Sequence, residues 1–196
     1  PAQAITQYIY YADGNSRDGL LKEVKIKMTS TQWRTTLLEY DTLRRLTKTT
    51  IDPFGQNLVT NYQASATDLL RADGQPLLVS DPRNYLTRYT YDTAGRRTQE
   101  EQYLQLGASS GAAYTTAYFY SPNGWLERVD RPIRDQDGVD LPTEGIQRVK
   151  FTRDTAGRVI RVDTGKASGP SGVDANESVA RGYRLNNLGE TVKTTD

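Results

Sequence analysis

The chain has 196 residues, of which 36% are hydrophobic, a share below that of an ordinary compact domain that argues against a deep, dry core. Twenty-five basic side chains against 24 acidic ones leave a formal charge of +1, which supplies no field for steering onto nucleic acid or an anionic membrane. Cysteine and histidine are both absent, which excludes disulfides, thiolate nucleophiles, Ser-His-Asp and Cys-His machinery and the common histidine zinc sites.

The aromatic residues are lopsided: thirteen Tyr stand against three Phe and two Trp, so most large rings need a wet edge or a hydrogen-bonding partner. Thin sheets with one exposed face meet that need. Apolar runs are only a few residues long, and PAQAITQYIYY at the N-terminus has neither a basic start nor an apolar core. No membrane span is expected, and the abrupt ends read as those of a piece of a longer polypeptide.

In chain order, the first three units are worn. YIYYADGNSRDGLLKEV (Tyr8 to Val24, within a unit near 5–28) carries a long turn before Gly19. LEYDTLRRLTKTTID (Leu38 to Asp52, unit 36–52) keeps Tyr40 and Asp41 but loses the glycine, and LLRADGQPLLVSD (Leu69 to Asp81, unit 60–81) centres on Gly74. Four clear units follow near 87–103, 114–131, 147–164 and 180–196: YTYDTAGRRT, YFYSPNGWLERV, FTRDTAGRVI and YRLNNLGETV. Their glycines, Gly95, Gly124, Gly157 and Gly189, fall 29, 33 and 32 residues apart.

Each unit reads as strand, tight turn, strand. Tyr89 and Tyr91, Tyr118 and Tyr120, Tyr8 and Tyr10, and Tyr183 and Leu185 sit two apart, which places each pair on one face of a strand. The following Asp (Asp92, Asp154) can accept from amides two residues on, and the glycine supplies a positive φ. The expected fold is therefore all-β, a twisted strip of consecutive antiparallel hairpins over 1–196. Three Gly-, Ser-, Pro- and Asp-rich stretches, 104–113, 132–145 and 165–178, read as variable loops at the other end of the hairpins.

Tyr91-Asp92-Thr93-Ala94-Gly95-Arg96-Arg97 and Asp154-Thr155-Ala156-Gly157-Arg158 resemble the core of the YD repeat of bacterial Rhs proteins, Tc toxin shell components, wall-associated toxins and animal teneurins. The connecting phrases from Asp52 and from Asp81, 29 residues apart, are similar to inter-repeat phrases of that family. The resemblance implies a segment of a larger β-shell, secreted or at a cell surface, that encloses or displays a toxin or effector domain. It also implies repeat-motif roles for Tyr40, Asp41, Tyr89, Tyr91, Asp92, Gly95, Arg96, Tyr118, Tyr120, Gly124, Phe151, Asp154, Gly157, Arg158, Tyr183 and Gly189. The chain departs from the family picture in being too short to close a shell and in lacking an autoproteolytic core and a distinct effector. Partners are then neighbouring repeats and an enclosed toxin domain; the alternative is a surface module binding a glycan or receptor through its Tyr-rich face or loops.

No catalytic residue, metal or other cofactor is expected. Glu100 and Glu101 adjoin and so point to opposite strand faces, poor geometry for a glycosidase pair. Asp135, Asp137 and Asp140 lack the terminal Glu of a calcium loop, and Asp137-Gly138 suits a turn. DPFG at Asp52 faintly resembles part of a self-cleaving core, but its repetition as DPRN at Asp81 marks it as a repeat connection. Asp92 with Arg96 or Arg97, and Asp154 with Arg158, are expected to pair across their turns or between neighbouring units.

Overall fold

In the computed structural model the described residues are 5–53, 55–63, 70–133, 145–167, 178–185 and 191–195, the last two stretches as backbone only. They contain no helix and form fourteen strands: β1 (Thr6–Tyr10), β2 (Leu21–Lys27), β3 (Trp33–Tyr40), β4 (Leu46–Pro53), β5 (Leu58–Asn61), β6 (Leu78–Ser80), β7 (Leu86–Tyr91), β8 (Arg97–Tyr103), β9 (Ala113–Tyr120), β10 (Leu126–Pro132), β11 (Ile146–Arg153), β12 (Val159–Ala167), β13 (Ser178–Leu185) and β14 (Thr191–Thr195). Strand order in the sheet is chain order, so each strand pairs with the next and no crossover is needed. The fold is all-β and built of antiparallel hairpins. Among the described residues no helix is long and apolar enough to cross a membrane.

The chain divides into two compact units, residues 1–89 with 102–112, and residues 90–101 with 113–196. In the first, cross-strand partners run Tyr8–Val24–Thr36–Ile51–Leu58 on one face and Glu23–Leu37–Thr50–Val59 on the other. The first face gathers Tyr and aliphatic side chains; the second carries the ion pairs Lys25–Glu23 and Lys48–Glu39. The buried apolar side chains of this unit are Leu70, Leu78, Leu86 and Tyr103. Leu78 and Leu86 flank a short turn and share a face, because Leu78 opposes Arg88 and Ser80 opposes Leu86. The Arg88 Nε donates to the Tyr103 hydroxyl at 3.2 Å, so the polar tip of a buried ring is satisfied.

The second unit repeats the division of faces. Tyr118, Val129, Val149 and Thr164 follow one another across β9 to β12 on one face, and Ala117, Asp130, Arg148 and Gly165 on the opposite one. Ala167 is its buried apolar residue among those described, and Arg148 and Asp130 are buried with it. A chain with so small an apolar share builds thin sheets with shallow interiors, and the pairing of strand with strand supplies the rest of the cohesion.

Candidate functional site: the motif turns

The recurring local structure is a four-residue turn closed by an aspartate. At Asp154 the Gly157 amide donates to the Asp154 carbonyl at 3.0 Å and the Asp154 amide to the Arg158 carbonyl at 2.9 Å. Gly157 has φ +82°, and the pairing slips by one residue between Thr152 and Arg153. That is the pattern of a turn followed by a glycine bulge, a left-handed position that favours glycine. The Asp154 carboxylate accepts from the Ala156 and Arg158 amides with one oxygen and from the Arg158 Nε at 2.7 Å with the other.

The turn at Asp92 has the same bonds: Ala94 and Arg96 amides to one oxygen, Arg96 Nε to the other at 2.6 Å, and φ +79° at Gly95. Of the two candidate arginines it is therefore Arg96 that closes this turn, while Arg97 pairs with Glu100 at 3.0 Å. The Asp41 turn keeps every one of these contacts through Arg45, although Arg44 fills the glycine position with φ +67°. Arg44 gains a compensating contact, since its Nη1 donates to the Ser16 and Asp18 carbonyls of the preceding loop.

Three further turns vary the theme. Residues 71–75 close through the same backbone bonds with Gly74 at φ +85°. Residues 121–125 place Ser121 where aspartate stands elsewhere, its hydroxyl accepting from the Trp125 amide at 3.1 Å, with Gly124 at φ +86°. The connecting phrase DPRN folds into a full turn of the same kind, with the Arg83 and Tyr85 amides on the Asp81 carboxylate and Asn84 at φ +65°. It lies at the opposite end of β7 from the Asp92 turn, where the Asn84 carbonyl accepts from the Gly107 amide of the 104–112 loop at 2.8 Å. The repetition of DPFG as DPRN reads as a repeat connection, and the Asp-x-x-Asn spacing within it is what forms the turn.

Electrostatics follow the bonds. The Arg96 amide, with the Arg96 guanidinium, holds the Asp92 carboxyl below its ordinary value, and the Arg158 amide and guanidinium do the same for Asp154. At Asp41, partial burial pushes upward, and the Arg45 amide and side chain more than offset it. Burial pushes the Tyr120 hydroxyl up, with the nearby Asp92 charge adding to it.

The motif aromatics frame these turns. Tyr120 donates to the Arg97 carbonyl at 2.8 Å, with the Arg96 guanidinium 4.7 Å above its ring; Tyr118 donates to Glu100 at 3.4 Å. Tyr40 meets Tyr11 edge to face at 6.2 Å, and Tyr11 donates to the Leu38 carbonyl. Tyr89 is tied by its amide to the Leu77 carbonyl, Tyr91 is half-buried, and Phe151 faces Val162 across β11 and β12. The Tyr183 backbone pairs with Thr194, and Gly189 lies outside the described residues, as do Asp135, Asp137 and Asp140. Among the described residues no group of three His, Cys, Asp or Glu is placed to hold a metal ion. The Asp52 carboxylate accepts from the Gly55 amide, so it too serves a turn.

The sequence did not disclose the deepest polar contact. Arg148, 2% exposed, donates through Nε and Nη2 to both oxygens of Asp130 at 2.7 and 2.8 Å, directly across β10 and β11. Arg128 lies 3.3 Å from the same carboxylate and 3.6 Å above the Phe119 ring. Nothing in the two strands' sequences marks this pair until their register is known.

A single sheet of chain-ordered hairpins, closed along its turns by aspartate–arginine clamps, defines a β-hairpin repeat protein. Residues 72–103 match the family model of the RHS Repeat, a stretch that includes the Asp81 and Asp92 turns. The family match thus extends over 32 of the 196 residues. Among solved structures it is similar to the Photorhabdus luminescens Tc holotoxin pore bearing the TccC3-D651A mutation, at 12% identity and TM-score 0.52 over 97% of this chain. It is also similar to the TcdB2-TccC3-TEV crystal structure, at 14% identity and TM-score 0.50 over 89% of this chain. It spans 11% and 10% of those chains, and at these identities the likeness is one of fold. No curated protein matches the sequence significantly.

Proposed function

We propose that this chain is a wall segment of a larger secreted or surface-exposed β-shell, whose work is to enclose or display a toxin or effector domain. The observation that carries the reading is the strand order. Among the described residues fourteen strands follow one another without a crossover, so hairpin is added to hairpin in chain order. The turns fix the hairpins, and the motif residues are structural: Asp41, Asp92 and Asp154 clamp, Gly95, Gly124 and Gly157 turn, and Arg96 and Arg158 close. The test is electron microscopy of the whole parent polypeptide with protease digestion. A hollow particle that shields another domain, with these residues in its wall, is the expected result; a parent whose other domains are all cut at the rate of the free domains would overturn the reading.

A second reading rests on Tyr8 and Tyr10, 60% and 55% exposed and two apart on β1, which suit stacking against a sugar ring. Selective binding on a glycan array, lost in Tyr8→Ala, would favour a surface-binding module instead.

A further inference from the structure

In three of the motif turns, the side chain that follows the left-handed position reaches forward. Arg45 uses Nε for its own Asp41 and sends Nη1 to the Leu70 and Arg71 carbonyls of the next such turn, at 3.2 and 2.7 Å. Its Cγ and Cδ pass 3.8 Å from the point where a Cβ on Gly74 would stand. Arg96 does the same in the second unit: Nε serves Asp92, while Nη1 lies 3.5 Å from the Ser121 carbonyl and 3.4 Å from the Cβ position of Gly124. Trp125, at the equivalent position, lays its indole over Gly157 so closely that a Cβ there would meet ring carbons at 2.5, 2.8 and 3.0 Å.

We propose that this position is a strap, by which a motif turn holds the next one within its unit, always in the same direction along the chain. Two chemistries serve it. Arginine binds the carbonyls of the following turn, and tryptophan covers a bare glycine face. The strap acts whatever the sheet encloses, so it stands apart from the wall reading. It also gives Gly157 two duties where a turn glycine ordinarily has one: a left-handed φ, and a surface flat enough for an indole. Gly124, with a similar φ of +86° against +82°, faces only the movable tip of Arg96.

A double-mutant cycle separates the strap from a purely local turn. Gly157→Ala strains φ equally whether residue 125 is Trp or Ala, so any difference between the two backgrounds reports the contact itself. In denaturant titration, Gly157→Ala is expected to raise the unfolding constant more in the wild-type chain than in Trp125→Ala, by at least about twofold, the low end for residues in contact. Additive effects overturn the proposal. If Gly157→Ala does not fold, Trp125→Ala alone decides by amide exchange. Faster exchange at Asp154 and Gly157, with Ser121 and Gly124 unchanged, supports the strap; loosening of residue 125's own turn alone refutes it.

Discussion

Among the described residues the largest fully buried side chain of the first unit is Leu78, 1% exposed, and that of the second is Arg148, 2% exposed and held by both oxygens of Asp130. The two units share their turns and their division of faces, so the contrast isolates what an interior is for. Leu78 and Leu86 sit on strands joined by the tight turn 81–85, whose own bonds set the register. Asp130 and Arg148 sit on β10 and β11, which are separated in the chain by residues 133–145 and pair directly with each other. A leucine cluster contributes free energy and is forgiving of partner. A buried bidentate ion pair contributes little net, because desolvation offsets attraction, but it penalises every alignment that leaves either charge alone. The interior thus supplies register between strands that are distant in the chain.

The sharpest way to break this contrast is to remove half the pair. Arg148→Ala leaves Asp130 buried without its partner and is expected to cost about 3–5 kcal/mol in urea titration. Asp130→Leu with Arg148→Met restores much of that stability, yet is expected to give more than one set of β11 amide resonances as registers compete. A double variant with a single clean set would show that register is held elsewhere. In the first unit, Leu78→Ala is expected to cost about 2–3 kcal/mol, with the β6–β7 pairing unchanged by amide exchange, because the turn rather than the leucine aligns those strands.

The smallest effect lies at the rim and depends on pH. The Asp92 and Asp154 carboxyls are lowered in the folded chain, first by the amides and then by the guanidiniums they accept from. Their contribution is therefore fully present above the ordinary carboxylate value of about 3.9 and is lost as pH falls through the lower folded value. Asp154→Asn is expected to flatten the acid limb of the stability curve below about pH 4. The 121–125 turn, closed by a hydroxyl, supplies the internal control, since the Trp125 amide keeps its acceptor in acid.

Turn geometry was written into the sequence because it is local: an aspartate, two residues and a glycine are all within one loop, and the Tyr pairs two apart declare the strand. Hairpin order and the all-β class followed from that alone. The left-handed Arg44 and Asn84 escaped because neither is glycine, and each holds its conformation through contacts elsewhere: Arg44 to the Ser16 and Asp18 carbonyls, and Asn84 to the Gly107 amide. Sequence could not choose between Arg96 and Arg97, since both stand near Asp92 and only the bulge decides which returns to it. The Arg148–Asp130 contact is non-local, 18 residues apart, and no pattern in either strand encodes it.

The forward reach of Arg45, Arg96 and Trp125 also bears on how such a chain is made. Each lies N-terminal to the turn it touches, by 26 residues from Arg45 to Arg71, 25 from Arg96 to Ser121 and 32 from Trp125 to Gly157. A ribosome therefore delivers every clasp before the loop it will fasten. A hairpin emerging from the exit tunnel meets a finished edge with the latch already waiting, so the strip can be laid down like courses of brick, with no need for the far end to exist before the near end is secure.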